Sequence, residues 1–185
     1  MSAIQIPRLQ ATSFQRVMSA GRTKPCLMLC KDDAGAAYEV VVKMRAGMEL
    51  KATGLICELV VALLADDFDL PTPKPFLVDV EKDFHLAIRQ PDIAKLMENS
   101  MGLNFGSQRL PFGVGTWPKD KAVPPRLQPL ASEVFAFDVL TQNPDRRRDN
   151  PNVLWSGDDI YLYDHEQAFS FLAGVIGWKP PWTGQ

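Results

Sequence analysis

A chain of 185 residues, 46% hydrophobic and 23% charged, has ordinary globular composition, long enough to bury one core and too short for two comfortable domains. Its 20 basic and 22 acidic residues leave a net charge of -2, which gives nucleic acid or an anionic membrane no overall field to follow, so neither is expected as a partner. No run approaches the roughly 20 apolar residues of a membrane span, and Met1 to Gln10 has no basic stretch followed by an apolar signal core, so a cytoplasmic protein is expected.

The apolar run Cys26 to Cys30, ended by the polar turn Lys31 to Gly35, predicts a strand. The β-branched run Tyr38 to Met44 predicts its antiparallel partner. Three cysteines, Cys26, Cys30 and Cys57, are an odd number without neighbouring histidines; they read as reduced core thiols, and no structural zinc is expected. From about Leu50 to Phe68 the periodicity turns helical, with Leu55, Leu59, Ala62 and Leu63 as the recurring apolar positions and Ile56, Val60 and Leu64 beside them. Leu70-Pro71-Thr72-Pro73 follows the end of that helix, and the proline-led run Pro75 to Val80 predicts an edge strand.

A short helix is predicted from Asp92 to Asn99 and a strand from Leu103 to Leu110. Proline and glycine between Phe112 and Pro129 mark a loop. Leu130 to Leu140 resumes helical spacing through Val134, Phe137 and Val139-Leu140, then meets the polar loop Asn143 to Asn152. Two short strands, Val153 to Trp155 and Ile160 to Tyr163, flank the turn Ser156 to Asp159.

The last third thus runs helix, polar loop, hairpin, Asp164-His165-Glu166. Phosphoryl transfer needs a carboxylate to orient the attacking hydroxyl and oxygen ligands to hold magnesium against the phosphates. Asp145 suits the first task, and Asn150 with Asp164 the second. Asn150 follows Asp145 at the five-residue interval of a kinase catalytic loop. Asp138 and Asn143 repeat that interval, but Asp138 lies in the apolar helix, whereas Asp145 lies in a loop leading to a hairpin that ends in an aspartate. The plain alternative for Asp145 is an ordinary loop aspartate.

Upstream, Lys43 ends a run of three valines, sharing a strand face with Val41 while Val40, Val42 and Met44 take the other. Glu58 is the only charged residue between Lys51 and Asp66 on an apolar helix, so it requires a partner, and Lys43 is the natural one. The alternatives are a lysine stem snorkelling to water and a glutamate on the helix's solvent edge. No Gly-rich G-x-G-x-x-G loop is present; Gly21-Arg22-Thr23-Lys24-Pro25 is either a phosphate cradle using Thr23 or a plain turn.

Three stretches resemble the HipA-like kinases, bacterial relatives of the protein kinase and phosphatidylinositol kinase folds. They are Tyr38 to Lys43 with the Glu58 helix and Leu70 to Pro73; Asn104 to Pro111; and Phe135 to Asp138 through Asn143 to Arg146, Asn150 to Asn152 and Tyr163 to His165. The resemblance implies an α+β, two-lobed protein-kinase-like fold, with a β-rich N-terminal lobe over about residues 1–110 and a linker and short C-terminal lobe over about 111–185. It implies ATP between the lobes, Lys43 on its phosphates, Asp145 facing the acceptor hydroxyl, Asn150 and Asp164 on Mg2+, and the backbone of Arg109 and Leu110 against the adenine. It also implies a serine or threonine acceptor on a protein substrate, with an antitoxin-like partner in keeping with the family.

Such folds continue after the metal aspartate with a helical bundle, whereas Gly177 to Gln185 does not read as a helix. An incomplete C-terminal lobe, or one completed by a partner, is therefore expected, with Trp178 and Trp182 as a sticky patch. The alternative to an active kinase is a pseudokinase that binds nucleotide or protein without transfer. A metal-dependent hydrolase built on Asp145, Asp149, Asp164 and His165 comes third, because only two histidines are present.

Overall fold

The computed structural model describes residues 5–18, 23–119, 121–157 and 159–173. Gly21, Arg22, Trp178 and Trp182 lie outside the described residues, and so do the expectations placed on them. The chain is a mixed α and β protein that divides into two compact units, Met1–Leu59 with Lys74–Arg109, and Val60–Pro73 with Leu110–Gln185.

In the first unit five strands close into a barrel: β1 (Arg8–Val17), β2 (Cys26–Lys31), β3 (Ala37–Lys43), β4 (Pro75–Val80) and β5 (Gly102–Gln108), in the order β1-β2-β3-β5-β4. The β2–β3 hairpin forms where the sequence predicts it, in register from Cys26 opposite Val42 to Lys31 opposite Ala37. Its turn is fixed by Asp32, whose Oδ1 accepts the Ala36 N–H at 2.8 Å, and by Gly35 in the left-handed region at φ 85°.

β1 has no counterpart in the sequence reading, and its pairing explains why. The register with β2 slips between Ala11 and Ser13 and again between Phe14 and Arg16, so the two-residue alternation that announces a strand is broken twice. Only Leu9 and Ala11 are buried along its length. β4 is a correction: it is not an edge, because β1 pairs with it in parallel on one side and β5 antiparallel on the other. The ladder to β1 involves only Leu77, Val78 and Asp79, so Pro75, which has no N–H to give, lies outside it.

The barrel interior is filled by Leu9, Met28, Val40, Val42, Phe76 and Val78, among others. Cys26 and Cys30 are fully buried there as free thiols, and burial pushes each pKa from the ordinary 9.0 up to about 12. In the unfolded chain both thiols ionise near pH 9, whereas in the folded barrel they keep their protons to about pH 12. Across that window the unfolded state holds fewer protons, so stability declines as pH rises above 9. Urea midpoints at pH 8.5 and 10.5 should show the decline, with a smaller drop for the Cys26→Ala, Cys30→Ala double variant; equal drops would contradict it.

Two helices flank the barrel strands in sequence, α1 (Lys51–Asp67) and α2 (Pro91–Glu98). α1 spans the expected residues but buries a different stripe: Gly54, Cys57, Glu58, Val61, Ala62 and Ala65 are inside, while Leu55 and Leu59 are half-buried and Ile56 is 60% exposed. The helix is apolar nearly all round, so periodicity locates it without fixing its rotation, and the small residues mark the close-packed side.

The second unit holds α3 (Gln128–Thr141) and a small sheet of β6 (Gly115–Thr116), β7 (Val153–Ser156) and β8 (Asp159–Leu162). The described part of the proline-rich segment is loop as predicted, apart from the two-residue β6, a 3-10 turn at Pro125–Leu127, and Gln128 and Pro129, which already belong to α3. Val61, Leu70, Val134, Phe137, Leu162 and Ala168 form this unit's core. Among the described residues no helix is long and apolar enough to cross a membrane.

Candidate active site

In the first unit, strand alternation sends Val40 and Val42 into the barrel core and leaves Lys43 at the end of β3, beside α1. Lys43 is 8% exposed and Glu58 1%, and Lys43 Nζ forms a salt bridge with Glu58 Oε1. The partner that an isolated carboxylate on an apolar helix demands is therefore the one the sequence nominates. Removing one member alone would strand a buried charge at a cost of about 3–5 kcal/mol.

Arg109 follows β5 and turns its side chain back to Glu39, with Nη1 2.7 Å from Oε2, and its backbone N–H donates to the Glu39 carbonyl at 2.9 Å. Its own N–H is thus committed to extending the β3 ladder. Leu110 is half-buried. Thr23 is half-buried, and its carbonyl oxygen sits 2.9 Å from where a Cβ on Gly47 would lie, so glycine is required at 47 for this approach. Lys24 is turned to α2, with Nζ 2.7 Å from Asp92 Oδ2, and this contact holds the Asp92 carboxyl below its usual range. Of the segment expected to cradle phosphate, then, the described cation is engaged elsewhere.

In the second unit, α3 is terminated by Gln142 in the left-handed region at φ 48°. The next residue, Asn143, is fully buried and uses Oδ1 to accept the Asp145 N–H at 3.1 Å, a local turn that sets the direction of the loop. A tight turn follows, with Arg147 and Asn150 exchanging both backbone hydrogen bonds at 3.0 Å. That turn folds the five-residue interval back on itself. Asn150 Nδ2 then donates to Asp145 Oδ2 at 3.0 Å and to the Asp145 carbonyl at 3.1 Å, and Asn152 Nδ2 donates to the same Oδ2 at 3.1 Å. Two amides grip one carboxylate oxygen, while Oδ1 has Arg147 Nη2 at 3.8 Å. Asn152 stands in the stretch that carries the family resemblance but has no role there; its signal is a second asparagine two residues beyond the first.

Arg146, to which the sequence assigns no role, organises the loop. It is buried, with Nε 2.9 and 3.2 Å from the two oxygens of Asp138 on α3. Its Nη1 donates to the carbonyls of Asn152, Pro151 (3.4 Å) and Tyr163 (3.5 Å), and Nη2 lies 3.4 Å from His165 Nδ1. Burial raises the Asp138 carboxyl above its usual range even against the pull of Arg146. The same logic that found Lys43 for Glu58 would have found it: a lone carboxylate on an apolar helix needs a cation. Asp138 is therefore a structural counterpart of the loop.

Asp164 lies between the two residues that Arg146 contacts, Tyr163 and His165, and adopts φ 62°. A left-handed aspartate is a strained choice that surrounding contacts must enforce, and such residues cluster at functional sites. Asp149 is 75% exposed beside Arg147, and among the described residues no three His, Cys, Asp or Glu side chains gather to hold a metal.

The HipA-like kinase family model matches residues 11–173, from β1 through the turn after β8. The chain belongs to the HipA-like kinase family. Comparison with curated proteins gives no match. The match to the HipA-like kinase family takes in Thr23, Lys43, Glu58, Arg109, Leu110, Asp145, Asn150 and Asp164, and membership implies use of ATP. The paired lysine and glutamate and the amide-held aspartate of this HipA-like chain are thus observed within the matched segment.

Proposed function

We propose that this HipA-like chain is an ATP- and Mg2+-dependent phosphotransferase of two-lobed kinase-like design that acts on a serine or threonine hydroxyl of a protein. The observation that carries the reading is the Asp145 carboxylate, held through Oδ2 by Asn150 and Asn152 while Oδ1 has Arg147 Nη2 at 3.8 Å, beyond hydrogen-bond distance. A carboxylate fixed in this way orients the acceptor hydroxyl and accepts its proton as the oxygen attacks the γ-phosphorus and the bond to the β-phosphate oxygen breaks.

The donor set fits magnesium. Asn150 donates its Nδ2 to Asp145, so its Oδ1 is the atom that would serve a cation, and Asp164 would add a carboxylate. Hard oxygen ligands, few in number and completed by water and phosphate, suit Mg2+ and not zinc. When bound, the ion neutralises charge on the phosphates. Lys43, positioned by Glu58, supplies a further cation to them. In the same reading the peptide between Arg109 and Leu110 meets the adenine.

Nucleotide binding by the whole chain tests this directly. Mg2+-dependent ATP affinity should fall at least about tenfold in the Lys43→Met, Glu58→Gln double variant, which removes both charges and so spares the fold. It should also fall in Asp164→Asn. Unchanged affinity in both would overturn the assignment.

A further inference from the structure

The second unit contains a cavity of about 320 Å³ that the proposed chemistry does not use. Its floor is apolar, made by Leu127 and Val134 near and on α3 and by Val153 and Ile160 on the hairpin. Its rim is cationic: Lys119, Lys121, Arg147 and Arg148 all line it. The only carboxylate among the described lining residues is Asp138, which Arg146 covers at 2.9 Å. Arg147 is shared with the carboxylates of Asp145 and Asp149 at 3.8 and 3.7 Å, while Lys119, Lys121 and Arg148 add positive charge around the apolar floor, a local reversal in a chain of net charge -2. Lys121 is held there by aromatic rings, with Nζ 4.2 Å from the Trp155 centroid and 5.8 Å from that of Trp117.

The rim also reaches the loop: Arg147 lines the cavity and stands 3.8 Å from Asp145 Oδ1. We propose that this cavity is the docking site for the acceptor protein, taking an apolar side chain from an acidic segment that flanks the hydroxyl presented to Asp145. The inference rests on the phosphotransferase reading for the role of Asp145. Charge complementarity selects the acidic segment, and the apolar floor selects one large apolar side chain within it. Burying that side chain supplies affinity, while the cations fix direction and exclude basic sequences.

The test uses the whole chain without nucleotide, so that its outcome is independent of ATP binding. Three labelled peptides with a central serine are compared by fluorescence anisotropy: an acidic one carrying a leucine, the same one with glycine for leucine, and a basic one with leucine. The acidic leucine peptide should bind at least about tenfold more tightly than either of the others, and more weakly as salt rises. The Lys119→Glu, Arg148→Glu double variant should lose that tenfold, and Ala131→Trp, which fills the cavity from α3, should reduce the leucine peptide to the level of the glycine one. Equal binding of acidic and basic peptides, or affinity untouched by both variants, would overturn the docking site. Selective peptide binding in a protein that fails to bind ATP would instead retain the docking surface and defeat the phosphotransferase reading.

Discussion

Arg146→Met is expected to lose about 3–5 kcal/mol of stability, because it leaves Asp138 charged and buried without its cation. The loss has a second source: the carbonyls of Asn152, Pro151 and Tyr163 forfeit a shared donor. Replacing both members, Asp138→Leu with Arg146→Met, should recover a large share, since an apolar pair of similar volume avoids the desolvation cost. Urea denaturation of the two single variants and the double one checks this as a cycle, and additive losses would show that the pair is not coupled. Because Arg146 grips the residues on both sides of Asp164, the single variant should also weaken Mg2+-dependent nucleotide binding while folded.

Gly106→Ala is the second large effect. Gly106 lies inside the barrel where β5 pairs with Val42 on β3 and Phe76 on β4. A Cβ there would stand 2.6 Å from Val40 Cγ1 and 2.7 Å from Val78 Cγ2, closer than carbon atoms approach without displacement. Both valines are fully buried and β-branched, so neither can rotate away into space. Overpacking of this kind costs about 1–3 kcal/mol. Thermal unfolding should reveal it, and Val40→Ala combined with Gly106→Ala should relieve part of it by vacating one of the two contacts. Gly106→Ala without loss of stability would mean that the strands are farther apart than described.

How far the sequence reveals this architecture depends on the kind of signal each element carries. The β2–β3 hairpin is legible because two apolar runs flank a polar turn, and the Lys43–Glu58 pair because a single charge on an apolar helix has to be matched. The Asp145–Asn150 contact is legible because a fixed interval in a loop closes on itself through a turn. β1 is hidden by two register slips, and the interior position of β4 by a proline that falls outside its second ladder. The rotation of α1 is hidden because Ile56 and Val60 are as apolar as the residues it buries. Arg146 stands in a run of three arginines, and only the buried Asp138 opposite distinguishes it from Arg147 and Arg148. Residue type alone cannot separate the three; the packed environment does.

Asp145 stands at the centre of the account, and label transfer from γ-labelled ATP tests it most directly. With Mg2+, the whole chain and a serine-containing acceptor, the native protein should transfer phosphate, and Asp145→Asn should reduce the rate by about a hundredfold to ten-thousandfold while leaving ATP affinity within about twofold. Native protein that binds ATP yet transfers none would make it a pseudokinase. Transfer that survives Asp145→Asn undiminished would contradict the assignment outright.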